Sequence, residues 1–494
     1  MNAGDPQFFM FTLALVGVVI IIAALLSGLI DRSDVPQVGV FLALGAVLGP
    51  AGLRLLDVRL DSPILFVVAT LSLTLVLFTD AVSLPMAEVR RHERLAFVVL
   101  GPGTVLSALL IALVAWYVLD LPPAAAAILG AALASTDPVM LRSLVRRPGL
   151  SDNVRLALRL ESGLNDIVLL PVILVALPFL REGGQLVPID WARLVLDFLL
   201  LGPGAGIAVG LLALAALDMI RRKVGVRRDY ESLYSLGVAF AAYAAAESVH
   251  GSGFLAAFTA GLTIAALDLD LCDCFLEYGE TTAEMALLFA FVLFGSSLIW
   301  TGFTVLTWPV LLLAVSVVLV RLVAFLAALS TMHLQPKECM LIAWFGPRGL
   351  SSLLLILVPV FAGARGSDYL FHVACFVVLF SVVLHGGSLM FLGRRRRPSK
   401  LRGAPPATVD AVSIDHPAQE TPAGPADDRI TIDELGRLRQ SGDPVVILDV
   451  RSEHSLLDDR RGAGGAIRIP AEHVVRRVAE LAIPKNTSLI LFCA

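Results

Sequence analysis

Thirteen apolar segments of bilayer-crossing length follow one another between residues 8 and 392, and this pattern leaves the chain few folds. They lie near 8–30, 36–55, 63–84, 95–119, 122–147, 153–180, 192–219, 232–250, 253–268, 281–300, 303–331, 338–361 and 368–392. In lipid every backbone N–H and C=O must be satisfied inside the protein, so only helices or a closed barrel can span. Segments of about 20 residues suit helices, since a spanning strand needs only about 9–11. Only 16% of the 494 residues are charged, against roughly 25% in a soluble domain. That balance excludes a soluble enzyme or a nucleic-acid-binding protein over most of the length. The expected fold is an all-α polytopic membrane protein with about 13 transmembrane helices.

Loop charges orient it. The segment Phe8 to Ile30 follows Asp5 and precedes the first basic residue, Arg32, so it reads as a retained helix and not a signal peptide. An odd number of spans puts the termini on opposite sides. With the N-terminus outside, the inner loops hold Arg90, Arg91, Arg94, Arg142, Arg146, Arg147, Arg155, Arg221, Arg222, Lys223, Arg227, Arg228, Lys337 and Arg394 to Arg397. The outer loops hold only Arg54, Arg59, Arg181, Arg193 and Arg365. The asymmetry predicts a cytoplasmic C-terminus in a cell (inner) membrane. One acidic inner loop, 268–277, does not alter this, because acids weigh little in the rule.

Several polar side chains interrupt the spans. Leu160-Glu161-Ser162-Gly163-Leu164-Asn165-Asp166 runs on into Ile-Val-Leu-Leu-Pro, so two carboxylates sit within a spanning segment. At about 100° per residue, Glu161, Asn165, Ser162 and Asp166 fall at roughly 0°, 40°, 100° and 140° and share one face. Intramembrane carboxylates are costly, and where they persist they line ion or proton paths. Two spans also read as broken. Pro138 disfavours helix at Asp137 in Ser135-Thr136-Asp137-Pro138, and Phe345-Gly346-Pro347-Arg348-Gly349 combines two glycines, a proline and a cation. Freed backbone groups at that depth must be buried or line a cavity. One break bears an acid and the other a base, in separate halves of the chain, a pattern of inverted-repeat transporters. The plain alternative for each is a proline kink. Arg321, in Val-Leu-Val-Arg321-Leu-Val, needs a carboxylate partner, and Glu161 is the first candidate. A permanent pair would leave Asp166 as the exchangeable acid.

These residues carry a resemblance. Glu161-Ser162-x-x-Asn165-Asp166, Thr136-Asp137-Pro138, Arg321 and Pro347-Arg348-Gly349 resemble the motif set of NhaP/NHE-type sodium/proton antiporters over roughly residues 8–393. Val35-Pro36-Gln37, Leu48-Gly49-Pro50, Leu77-Phe78-Thr79-Asp80 and Leu384-His385-Gly386 match in the same order. The resemblance implies two unwound helices crossing beside the Asn-Asp helix, inverted repeats and a homodimer. It makes Asp166 the ion- and proton-binding carboxylate. Ser162, Thr136 and Asp137 would supply or organise oxygen ligands, with Na⁺ at Asp166, Ser162 and Thr136. Asn165 and Arg321 would hold Glu161, and Arg348 would sit at the second crossing. The chain departs from the pattern at Met140-Leu141 and at Ala81, where smaller residues are usual.

The chemistry is coherent beside the resemblance. A hard cation needs several oxygen ligands, at least one of them anionic. Burial raises a carboxylate's pKa and a nearby cation lowers it, so one acid can hold a proton or Na⁺ in turn. With a neutral Asn165 beside Asp166, exchange is expected to be one-for-one and electroneutral. The expected partners are Na⁺ (or Li⁺ or K⁺), H⁺ and membrane lipid, with no nucleic acid and no cofactor, serving pH and sodium homeostasis. Asp80 is a candidate for the cytoplasmic funnel; Asp197, Glu247, His250 and Glu284 read as structural or solvated, and His385 as packing or pH sensing.

The C-terminal region differs in texture. Residues 1–393 form the expected exchanger domain, 394–427 a basic and Pro-rich cytoplasmic linker, and 428–494 a partial α/β domain. Ile447-Leu-Asp449-Val-Arg451-Ser, Gly465-Ala-Ile-Arg-Ile469-Pro470 and Leu489-Ile-Leu-Phe-Cys493 resemble a rhodanese domain, with Cys493 as the rhodanese cysteine. The sequence stops at Ala494, where the family's anion-cradling loop would follow, so the domain reads as truncated and its ligand as unknown. The five cysteines show no disulfide framework and no zinc spacing. The favoured reading is a secondary transporter, not an enzyme. Rival readings are a K⁺/H⁺ exchanger, a membrane-anchored sulfurtransferase or redox sensor, and a sodium/solute symporter.

Overall fold

The computed structural model describes residues 37–395 except 85–88, 90, 146–149, 183–194, 224–227, 268–272 and 333. It also describes scattered positions between 17 and 25, and residues 445–450, 466–469 and 488–492. The chain forms two compact units, Met1–Lys400 and Leu401–Ala494. Among the described residues of the first, the regular elements are all helices. Its helices are α1 (Gln37–Leu48), α2 (Pro63–Val82), α3 (Glu93–Leu119, with a π turn at Val99–Gly103), α4 (Pro123–Ala134) and α5 (Pro138–Val145). They continue as α6 (Asp152–Glu182), α7 (Gly202–Lys223), α8 (Arg228–Ser248), α9 (Gly253–Ala266) and α10 (Asp273–Ser296). The last are α11 (Trp308–Leu329), α12 (Pro336–Trp344), α13 (Leu350–Phe361) and α14 (Ser367–Arg395).

Local chemistry explains the boundaries. Pro63, Pro123, Pro138 and Pro336 each occupy the first position of a helix, where the missing N–H has no intrahelical partner to lose. Helix α3 ends where Asp120 takes a left-handed backbone at φ 52° before Pro122 and Pro123. Ser252 caps α9 by accepting from the Leu255 N–H at 3.5 Å.

Among the described residues, seven helices are long and apolar enough to cross a membrane, or eight if the pair Thr281–Ser296 and Leu298–Val305, bent by 47°, is one span. Three further apolar helices, Gln37–Leu48, Gly253–Ala266 and Leu350–Phe361, are shorter. The protein is therefore a multi-pass membrane protein. Most of the expected first span, 8–30, lies outside the described residues, and thirteen spans stay an expectation of the sequence.

The helices pack in two groups. In one, α3, α4, α6, α11, α12, α13 and α14 surround the broken segments; in the other, α1, α2 and α7 to α10 pack on one another. Helices α2 and α6 connect the groups. With no hydrophobic drive in lipid, close approach depends on small residues. Eight of the twelve residues of helix α4 are alanine or glycine, and a side chain at Gly130 would lie 2.6 Å from the Ala108 carbonyl oxygen on α3.

In the second unit the described residues form a parallel sheet of three strands, β1 (Val445–Asp449), β2 (Ile467–Arg468) and β3 (Ser488–Phe492), in the order β2-β1-β3. Two of these are the apolar runs expected at 444–450 and 488–494. The helix expected from Thr431 lies outside the described residues, as does Cys493.

Gly130→Ala forces α3 and α4 apart, because the obstacle is backbone and not a flexible side chain. The expected cost is about 1–3 kcal/mol, read as a lower thermal unfolding midpoint of detergent-solubilised protein.

Candidate functional site

Both breaks expected from the sequence are present, and they meet. Helix α4 stops at Ala134 and α5 starts at Pro138, while α12 stops at Trp344 and α13 starts at Leu350. Ser135 is extended, at φ −64° and ψ 136°. The Asp137 N–H donates to the Pro347 carbonyl at 2.9 Å, joining the two breaks through their backbones.

Side chains satisfy the remaining broken ends. The Asp137 carboxylate accepts from the Val139 N–H at 2.8 Å and the Leu350 N–H at 2.7 Å, so one acid caps the N-termini of both α5 and α13. Negative charge is favoured there by the unpaired N–H groups and the helix dipole. Arg348 does the converse at the C-terminus of α4. Its Nη1 donates to the Ala134 carbonyl at 2.5 Å, the Ser135 carbonyl at 3.1 Å and Thr136 Oγ1 at 3.1 Å. Ser352 adds a bond to the Ser135 carbonyl at 3.2 Å.

Arg321 on α11 forms a two-pronged ion pair with Glu161 on α6. Its Nη1 donates to Oε1 and its Nη2 to Oε2, the latter at 2.8 Å. Nη2 also donates to the Ile342 and Phe345 carbonyls at 3.0 and 3.3 Å, and the guanidinium carbon lies 4.1 Å from the centre of the Phe325 ring. A side chain at Gly346 would overlap this guanidinium, so the glycine makes room for it. Both charges are buried, at 2% and 1% exposure. Such a pair persists only with good geometry and added hydrogen bonds, and here both are present.

Asp166 is held differently. It is buried at 5% exposure, and Ser135 Oγ donates to its Oδ1 at 2.7 Å. Among the described residues no lysine or arginine pairs with it. Asp80, at the end of α2, approaches the same helix: a side chain at Gly163 would lie 4.0 Å from its Cβ.

Three expectations change. The oxygens expected around Asp166 from Ser162 and Thr136 are not the ones bonded to it. Thr136 Oγ1 donates to Glu161 Oε1 at 2.8 Å, and Ser162 Oγ turns to the Arg159 carbonyl of its own helix at 3.4 Å. The reason is the break itself: Ser135 leaves the helix with an extended backbone, so the two hydroxyls diverge along α6. Ser135 therefore faces Asp166, and Thr136 faces Glu161. Asn165 does not hold Glu161: its amide nitrogen and oxygen are both buried without a hydrogen-bond partner, and Glu161 is taken by Arg321 and Thr136. Ser135 was the site residue missed, and alternation through the break was the signal for it. Of the residues read as structural, Glu247 accepts from the Gly253 N–H at 3.0 Å and Glu284 from Gln37 at 3.5 Å.

Arg321→Met leaves Glu161 buried and unpaired, at an expected cost of about 3–5 kcal/mol. Adding Glu161→Gln recovers part of that loss, and thermal unfolding of the single and double variants in detergent checks both steps.

Comparison with known proteins identifies what the chain is similar to. Two curated relatives are a K⁺/H⁺ antiporter NhaP of Alkalimonas amylolytica, 26% identical over 78% of this chain and 66% of its own length, and a K⁺/H⁺ antiporter NhaP2 of Shewanella sp. (strain ANA-3), 27% identical over 76% of this chain and 65% of its own. The chain thus spans just under two thirds of these relatives. The sodium proton antiporter MjNhaP1 of Methanocaldococcus jannaschii, solved at pH 8, shares the fold with a TM-score of 0.63, at 21% identity over 77% of this chain and 99% of that one. The model of the transmembrane sodium/hydrogen exchanger family matches residues 17–395. By that match, which takes in both breaks, Asp166 and the Glu161–Arg321 pair, the chain belongs to the sodium/hydrogen exchanger family.

Proposed function

We propose that this chain is a secondary antiporter exchanging a monovalent cation for H⁺, with Asp166 as the carboxylate that holds each in turn. The observation that carries the reading is the contrast between two acids on one helix. Glu161 is locked by Arg321, whereas Asp166, among the described residues, accepts from a serine hydroxyl alone. Hydroxyl and carboxylate oxygens are the ligands a hard cation takes, and Ser135 joins Asp166 in that role.

The charge balance supports one-for-one exchange. Two buried guanidinium groups, Arg321 and Arg348, face three buried carboxylates, Asp137, Glu161 and Asp166. With Asp166 ionised, one negative charge is left over. One proton or one monovalent cation restores neutrality, and a buried charge without a counter-charge is strongly disfavoured. A carrier that reorients only when neutral moves one H⁺ for each cation, electroneutrally.

Na⁺ is the cation the sequence motifs favour, with Li⁺ beside it. K⁺ is the second reading, favoured by the names of the relatives from Alkalimonas and Shewanella. The excess of arginines in alternate loops supports a cytoplasmic C-terminus in a cell membrane. A homodimer and a role in pH and sodium homeostasis are part of the same reading. For residues 428–494 the parallel sheet supports a partial rhodanese-like domain on the cytoplasmic side, following the linker 394–427.

Everted vesicles loaded by respiration test the central claim. Adding Na⁺, K⁺ or Li⁺ collapses the pH gradient in wild type, and Asp166→Asn abolishes the response; undiminished exchange in that variant removes Asp166 from its role. Ser135→Ala, which removes one hydrogen-bonding oxygen worth about 1 kcal/mol, raises the apparent KM for the cation roughly fivefold. In proteoliposomes an imposed membrane potential leaves the rate unchanged, and a potential-driven current contradicts one-for-one exchange.

A further inference from the structure

The second break contains polar backbone groups that neither the first break nor Arg321 serves. The Trp344 carbonyl closes α12, and the Arg348 N–H lies just before α13, with Pro347 between them unable to donate. Ser381 and His385 stand one turn apart on α14 and are 1% exposed. Ser381 Oγ lies 2.7 Å from the Arg348 nitrogen, His385 Nδ1 lies 3.1 Å from Ser381 Oγ, and His385 Nε2 lies 3.2 Å from the Trp344 carbonyl oxygen.

The donors in this chain follow from what each group can do. A backbone N–H only donates, so Arg348 donates to Ser381 Oγ. A carbonyl only accepts, and His385 has one on each side: Nε2 faces the Trp344 carbonyl and Nδ1 also lies 3.1 Å from the Ser381 carbonyl oxygen. In the tautomer with the hydrogen on Nε2, Nδ1 accepts the Ser381 hydroxyl hydrogen. The three bonds then run in one direction, from the Arg348 N–H through Ser381 and His385 to the Trp344 carbonyl.

We propose that Ser381 and His385 are positioning residues, a strap from α14 that fixes the span of the second break and so holds Arg348 against the first. The inference rests on the antiport reading only for its transport readout. Arg348 reaches the carbonyls of Ala134 and Ser135 from a backbone whose N–H is tied to Ser381. Ser135 is the residue that bonds Asp166. Loosening the strap therefore acts on the cation site through two breaks, without a contact to the cation.

The experiment uses the full chain in proteoliposomes. His385→Leu removes every polar contact of the ring, and Ser381→Ala removes the acceptor for Arg348. His385→Gln keeps a donor and an acceptor at the same place. The expected result is an apparent cation KM raised roughly tenfold, the equivalent of one buried hydrogen bond, in His385→Leu and Ser381→Ala. In His385→Gln most of the rise is recovered. The double variant is no worse than the poorer single one, because both act in one chain of bonds. Amide hydrogen exchange across residues 344–350 gives a readout independent of transport: it speeds up in His385→Leu and Ser381→Ala, and returns toward wild type in His385→Gln. Unchanged exchange there, or a glutamine variant no better than leucine, overturns the strap. Faster amide exchange in these variants, together with a wild type that moves no cation, leaves the strap standing and overturns the antiport reading instead. If His385→Leu does not accumulate in the membrane, Ser381→Ala, which deletes a single oxygen, carries the comparison.

Discussion

A broken helix inside a membrane has backbone groups that water cannot reach, and the structure is organised around supplying them with partners. Each break donates what the other lacks. Asp137, from the first, caps α5 and α13; Arg348, from the second, caps α4; and the Asp137 N–H to Pro347 carbonyl bond joins the two directly. Neither break is satisfied alone, so the crossing forms as a unit. The long helix α6 passes beside it and contributes both acids.

Two carboxylates five residues apart on α6 thus meet unlike surroundings. Glu161 accepts from a guanidinium with two further carbonyl anchors, and Asp166 from one hydroxyl. The difference does not lie in the acids themselves or in their burial, which is nearly equal. It lies in which partner each faces. An arginine presents a planar fork of donors, and its two-pronged bond ties Glu161 to α11. A hydroxyl both donates and accepts, and under the proposed antiport that leaves Asp166 free to exchange what it holds.

Much of this was legible in the sequence because it rests on patterns that survive without coordinates. Both breaks follow from proline and glycine chemistry at Pro138, Gly346 and Pro347. The pairing of Arg321 with Glu161 follows from the cost of an isolated charge in lipid. Strands β1 and β3 follow from unbroken apolar runs. What was not legible depends on direction within a few residues. Helical geometry put Asn165 beside Glu161, yet a carboxylate leaning toward Arg321 and Thr136 leaves the amide with no partner. Thr136 looked like an ion ligand because it belongs to the motif, while Ser135, its neighbour, makes the bond to Asp166. Among the described residues α1, α9 and α13 are shorter than the apolar runs that contain them, because helix ends are set by local breaks that hydrophobicity does not record.

The alternation of Ser135 and Thr136 makes the first break a parity element. One residue of extended chain decides which hydroxyl meets the locked acid and which meets the open one. Adding or deleting a single residue there would exchange the two faces while leaving composition, hydrophobicity and charge almost untouched. A two-residue change would restore the faces but shift them along α6. Between α4 and α5, length is thus as much a determinant of the site as residue identity.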